Sequence, residues 1–428
     1  MTAWEIDEDD YPEPEDEPVS VAAAARELVQ QGKVREPPPP WMDGCPTTAR
    51  GTVAPTPAGL AHVLEHHPEI GRAVRYDVRH DRYLTSRALP WAPIGAPVTD
   101  AWEHEARVWG ELQLGTRWGV EAMHGGVRAY AARYPYDQVQ DYLRGLAWDG
   151  VHRLDDLLVR LAGAADCTVV RAMTRAWMIS AVRRALQPGV KADHVLVLEG
   201  PQGCGKTTIL TLLAEAAGSG SYAALQQDLG NKDSLSFLRG PWIVELGELS
   251  ALIRSDMSAA KQYLSAQSDR YRPAYGRNEL DVPRRCVFAG SLNPKGEGWI
   301  ADATGGRRFW PILVGRVDRD QVLEERDQLW AEAVAAEATG EPHWLRGYAE
   351  TEAHAEQALR LEQDAWMQPV ADHVQTLRTV TWDDLWRCVG VELDKRARRD
   401  QTRLAGIMTM LGWRAHRDRH GRGWVRGP

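Results

Sequence analysis

His194-Val-Leu-Val-Leu-Glu-Gly-Pro-Gln-Gly-Cys-Gly-Lys-Thr-Thr-Ile-Leu-Thr-Leu-Leu-Ala-Glu-Ala216 decides the fold. An apolar run, a glycine-rich turn and a helical pattern follow one another, the order of a strand, a P-loop and the helix that opens from it. Gly200, Gly203 and Gly205 let backbone N–H groups turn inward around phosphates, with Gln202 and Thr208 completing the cradle. Lys206 can reach the β- and γ-phosphates, and the Thr207 hydroxyl can hold Mg²⁺. The helix N-terminus adds partial positive charge behind the anion. The expected ligands are ATP and Mg²⁺.

Outward from this stretch, residues 190 to about 315 alternate strand and helix patterns, which predicts an α/β core with a mainly parallel sheet. Nucleotide hydrolysis also needs carboxylates near Mg²⁺ and a group that orients the attacking water. In Trp242-Ile-Val-Glu-Leu-Gly-Glu-Leu249, Glu245 and Glu248 fall at and just beyond the end of a second buried strand, the edge of an α/β sheet where ligands bind. Glu245 is the metal candidate beside Thr207, and the division of labour between the two glutamates stays open. Asn293 ends a third strand, Arg285–Asn293, where its amide could bridge the γ-phosphate and the lytic water; Asn293-Pro294 as a plain turn is the competing reading. Thr304-Gly-Gly-Arg-Arg-Phe-Trp310 offers Arg307 and Arg308, either of which could reach a neighbouring subunit's γ-phosphate, join an ion pair or touch DNA. Between these motifs, Lys261 to Arg277 interleaves basic and aromatic residues, including Arg272, ahead of a turn at Asn278-Glu279; a hairpin against a sugar-phosphate backbone fits, as does an ordinary hairpin with a basic face.

The 428 residues and 43% hydrophobic content support several folded domains. The net charge of −9 does not exclude a nucleic-acid partner, because Glu5 to Glu17 holds nine carboxylates and no base, while the C-terminal end is rich in arginine. The acidic start and the run Pro37-Pro-Pro-Pro40 predict a tail and stiff linker over 1–40. Five scattered cysteines without a C-x-x-C pair argue against a disulfide framework or zinc site, and no apolar run approaches membrane length. The expected location is the cytoplasm of a bacterial host cell. Residues 41–185 read as a mainly helical region, with a possible strand at Ala73–Val78; His62, His66 and His67 share helical spacing without a convincing third ligand.

The motif series resembles the virulence-associated protein E family, P-loop ATPases of phages and mobile islands akin to superfamily 3 helicases. The resemblance is carried by Tyr134–Leu154, Pro188–Lys191, the P-loop, Trp242–Leu249, Asp269–Arg277 and Asp302–Pro311, in that order. It implies an AAA+-like core of superfamily 3 helicase type over 186–345, and a hexameric ring hydrolysing ATP between subunits around single-stranded DNA. It also implies that Lys206 and Thr207 are the P-loop positions, Glu245 and Glu248 the acidic motif, Asn293 the sensor and Arg307 or Arg308 the trans arginine. Lys261, Asp269 and Arg272 match the motif before a DNA-contacting hairpin. No primase-like carboxylate pair precedes the core, so 41–185 is expected to be a collar that helps the ring assemble.

Over 346–428 a helical linker leads to a helix starting near Thr381, a second amphipathic helix over Asp400–Leu411 and a basic two-stranded ending turning at His420-Gly421. This pattern predicts a winged helix-turn-helix in which Arg403, Arg414 and Arg417 meet duplex DNA; a winged helix that contacts protein is the competing reading. The expected activity is DNA-dependent ATP hydrolysis by a replicative DNA helicase. The alternative is a nucleotide-switched DNA-binding or interference protein that does not unwind.

Overall fold

The computed structural model describes residues 38–225, 232–247, 257–272, 279–293, 298–300, 306–361, 365–418 and 421–427. The acidic tail, Glu248, Arg277 and both proposed turns, at Asn278 and His420, involve residues outside these. The chain divides into two compact units, residues 1–78 with 82–136, and 79–81 with 137–428.

In the first unit, helix Pro57–His66 starts where Thr56 Oγ1 accepts the Gly59 N–H at 3.2 Å, with proline at the first helical position. Its buried Leu60, Val63 and Leu64 join Met123 and Val127 of helix Val120–Ala131 and Trp102 and Trp109 of helix Asp100–Leu114 in one core. The expected strand at 73–78 is β1 (Val74–Asp77), which pairs antiparallel with β2 (Arg82–Thr85) and parallel with β3 (Pro135–Tyr136). His62 Nε2 bonds Trp41 O at 2.8 Å and the His67 ring stacks edge-on with Trp41 and Trp109. These histidines are structural, and no metal-capable cluster of three occurs among the described residues.

The second unit is built on a five-stranded sheet, ordered β10 (Phe309–Leu313), β4 (Val195–Glu199), β9 (Val287–Leu292), β6 (Ile243–Leu246), β5 (Tyr222–Leu225). Every neighbouring pair is parallel. Parallel sheets bury both faces, so their strands are continuously apolar rather than alternating. Accordingly Leu196 and Leu198 pack with Trp177, Ile209, Leu213, Trp310 and Trp330, while Val195 and Val197 enter a second core with Val244, Tyr263, Phe288 and Phe309. Buried indoles need a partner for their N–H: Trp177 donates to Phe288 O at 2.8 Å, Trp242 to Ala181 O at 2.9 Å and Trp330 to Leu213 O at 2.9 Å.

Helix Thr168–Leu186 supplies several of these contacts, so residues 137–185 belong with the sheet, whereas the sequence reading ended the preceding region at 185. The same helix carries Arg184, buried and donating to Ala192 O at 2.6 Å and Ala266 O at 2.8 Å; burial pushes its guanidinium down to about 10. Between β6 and β9 run helix Met257–Ser265 and an antiparallel hairpin, β7 (Ser268–Tyr271) with β8 (Leu280–Pro283).

Towards the C-terminus, helix Met367–Val374, β11 (Thr379–Thr381), helix Trp382–Cys388 and helix Arg398–Met410 precede a hairpin of β12 (Trp413–Asp418) and β13 (Gly421–Arg426). The sheet order is β11-β13-β12. Thr381 and Asp384 form a reciprocal capping box, and Val370, Leu385, Trp386, Leu404, Ile407, Trp413 and Trp424 make a separate small core.

Candidate functional site

The loop between β4 and helix Lys206–Ala214 requires its glycines. Gly203 and Gly205 have φ of +80° and +101°, and a Cβ on Gly205 would lie 2.7 Å from Val317 Cβ. The loop is held from both sides: Gly200 N–H donates to Leu292 O at 3.1 Å, and Val317 N–H to Cys204 O at 2.8 Å. Such a turn leaves backbone N–H groups at a helix N-terminus facing a common point, a cradle for phosphate oxygens.

Around this loop the structure brings together four of the sequence-predicted residues. Lys206 is buried, and its Nζ donates to Gly200 O at 2.8 Å, Pro201 O at 2.8 Å and Asn293 Oδ1 at 2.9 Å. Thr207 Oγ1 donates to Glu245 Oε1 at 3.1 Å. Glu245 is only 3% exposed and accepts two further hydroxyls, from Tyr222 on Oε2 at 2.5 Å and from Ser291 on Oε1. Burial, and then the adjacent Glu245 carboxylate, push the Tyr222 phenol well above its usual range, so it stays a donor.

Sequence reading missed Tyr222 and Ser291. Ser291 carried a usable signal: it lies near the end of β9, two residues before Asn293, the spacing at which side chains along an extended chain share a face. Tyr222 carried none, because its approach to Glu245 depends on β5 pairing with β6. The donor set suits a hard cation. A hydroxyl and a carboxylate are both oxygen ligands, and Mg²⁺ is commonly held by one or two protein oxygens plus substrate phosphates.

The arginine pair lies at the other end of the sheet. Phe309 aligns with Val195, the first residue of β4, whereas the loop follows Glu199, which aligns with Leu313. Arg308 Nε and Nη2 donate to Ser265 Oγ at 3.0 and 2.9 Å, with Asp193 Oδ2 3.8 Å away, while Arg307 is exposed. Asp269 has a structural partner: it forms a bidentate ion pair with buried Arg284, at 2.9 and 2.5 Å, at the base of the β7–β8 hairpin. Lys261 is half-buried on helix Met257–Ser265 and Arg272 is exposed directly after β7.

In the C-terminal elements the three arginines diverge. The Arg403 guanidinium lies over the Trp366 ring at 4.0 Å. Arg414 is exposed on the strand face opposite buried Trp413, and Arg417 is exposed near the tip, aligned with Arg422.

One further contact fixes the strand that ends in the loop. Glu199, buried immediately before Gly200, accepts Trp299 Nε1–H at 2.7 Å and Arg360 Nε–H at 2.8 Å.

Residues 143–362, just over half of the chain, match a family model described as the virulence-associated protein E-like domain. No curated protein matches the chain. Among solved structures, two described as the A form apo structure of the NrS-1 C-terminal region align with TM-scores of 0.46 at 12% identity, covering 87% and 88% of this chain and 100% of those chains. A further apo structure of that region aligns with a TM-score of 0.41 at 10% identity, over 87% of this chain and 99% of the other.

Proposed function

The chain belongs to the virulence-associated protein E-like family, and from that premise we propose that it is a DNA-dependent ATPase serving replication of a phage or mobile island, acting as a ring-forming helicase in the host cytoplasm. The observation that carries the reading is the convergence of Lys206 with Asn293 and of Thr207 with Glu245 at one strand edge. Lys206 exchanges its carbonyl acceptors for β- and γ-phosphate oxygens, and the loop N–H groups bind the remaining oxygens. Thr207 and Glu245 would hold Mg²⁺, which when bound would neutralise negative charge on the phosphates. Asn293, released from Lys206, orients the attacking water through its amide. Glu248 lies outside the described residues and retains its assignment as the second acid.

The distance of Arg307 from its own loop supports action on a neighbouring copy, which makes the active site an interface and favours a closed ring, a hexamer by family resemblance. The C-terminal order of helix, strand, two helices and hairpin supports a winged helix-turn-helix, with Arg414 and Arg417 directed to duplex phosphates. Lys261, Arg272 and Arg277 are assigned to single-stranded DNA in the ring.

Lys206→Ala tests the proposal. The purified variant should keep its fold by circular dichroism and lose ATP hydrolysis, and retained turnover would sink the mechanism. Strand displacement on forked DNA tests the helicase step. DNA-stimulated hydrolysis without displacement would favour a nucleotide-switched DNA-binding protein.

A further inference from the structure

Glu245 is a buried carboxylate whose two oxygens have different neighbours. Oε1 accepts from Thr207 at 3.1 Å and from Ser291, while Oε2 accepts from the Tyr222 hydroxyl at 2.5 Å. Thr207 is the second residue of the helix after the loop, Ser291 the last but one of β9 and Tyr222 the first of β5, so three separate elements meet on one side chain. A carboxylate can rotate about its last bond, which costs little and exchanges its oxygens. A donor on one oxygen removes that freedom. Here the Tyr222 hydroxyl occupies the oxygen away from Thr207, leaving Oε1 towards the hydroxyl with which it would share a cation.

We infer that Tyr222 is a positioning residue for the metal-binding carboxylate: its hydroxyl locks the Glu245 side chain so that Oε1 and Thr207 Oγ1 present a preformed pair to a divalent cation. The inference rests on the reading of Thr207 and Glu245 as the metal pair. Tyr222 acts on the cation pair through Glu245, and its hydroxyl has a further side-chain hydrogen bond with Thr211 on the helix after the loop. Its ring packs against the large core on that side of the sheet, so Tyr222→Phe keeps the packing and deletes both hydrogen bonds.

The test uses full-length Tyr222→Phe, full-length Glu245→Gln and wild type. Mn²⁺ binding to the protein–ADP complex is followed by electron paramagnetic resonance, ADP binding is measured in EDTA, and kcat and KM are measured for Mg²⁺-ATP. Positioning roles of this kind are worth about 10-fold to 100-fold in metal affinity. Tyr222→Phe should therefore weaken Mn²⁺ binding about 10-fold and lower kcat similarly, with metal-free ADP affinity and KM unchanged. A purely structural role would instead shift the melting temperature and weaken ADP binding in EDTA, and that result overturns the inference. Mn²⁺ affinity and kcat within about twofold of wild type overturn it too. Those outcomes leave the metal pair standing if Glu245→Gln abolishes Mn²⁺ binding. Normal Mn²⁺ binding by Glu245→Gln overturns the metal pair and the inference with it.

Discussion

If the catalytic site lies between copies of the chain, two dead variants should repair each other. Four residue steps of about 3.3 Å separate the Phe309–Val195 and Leu313–Glu199 register pairs, roughly 13 Å of strand. Arg307 lies two residues further from the loop, so its side chain cannot reach a phosphate bound to its own chain. A trans arginine is worth about 10³ to 10⁵ in turnover, so Arg307→Ala alone should be nearly inactive, as should Lys206→Ala. In an equimolar mixture, a productive interface needs Lys206 from one subunit and Arg307 from its neighbour. Random assembly places that combination at about one interface in four, so hydrolysis should recover to about a quarter of wild type if sites fire independently. The assay is ATP turnover against mixing ratio, with a bell-shaped curve peaking at equal amounts. Arg308→Ala should not substitute, because its guanidinium is engaged by Ser265 and Asp193 within the chain, and its loss should appear first as lowered stability. A flat, inactive mixture with Arg307→Ala, or an Arg308→Ala variant that is folded yet inactive alone and is repaired by Lys206→Ala, would refute the assignment.

Other expectations concern stability and DNA. Arg284→Met should leave buried Asp269 without its counter-charge, costing about 3–5 kcal/mol; a denaturant melt unchanged by the substitution would contradict this, and adding Asp269→Asn should restore much of the loss. His194 stacks on Trp310 at 4.1 Å, and burial, opposed by Asp193 and reinforced by His343, Lys191 and Arg308, pushes it down to about 4. The folded state then binds fewer protons than the unfolded state between pH 4 and 6.5, so stability present above pH 6.5 falls by up to about 3 kcal/mol as pH drops towards 4. Replacing His194 with Gln should flatten that part of the melting-temperature profile. Arg414→Ala should weaken duplex binding evenly across sequences and reduce the slope of log affinity against log salt by about 1, as measured by fluorescence anisotropy.

The parallel sheet was legible because burial on both faces leaves continuous apolar runs, and the loop because its glycines stand at fixed offsets before Lys206 and Thr207. Glu245 and Asn293 were legible from their positions at strand ends. What pairs with them was not: Tyr222 reaches Glu245 through strand pairing between segments 21 residues apart, from 222–225 to 243–246 in register. Arg307 and Arg308 look equivalent in sequence, and only the packing of Ser265 and Asp193 against Arg308 separates them. Nothing in the sequence marks Arg184 and Arg284 as interior residues, and it is backbone carbonyls and Asp269 that let them sit there. The helix at 168–186 offered no boundary signal, since its association with the sheet is made by indole hydrogen bonds to distant carbonyls.

Glu199 stands one peptide bond from the phosphate cradle, yet its carboxylate is clamped by Trp299 and by Arg360, the residue just beyond helix Tyr348–Ala358 on the way to the C-terminal elements. Glu199 and Arg360 stand 161 residues apart in the chain, so this one carboxylate closes a long covalent loop and staples the segment after helix Tyr348–Ala358 to the strand end. Arg360→Gln removes the charge from that staple and leaves Glu199 buried with only the Trp299 indole, so a lowered melting temperature is the expected result.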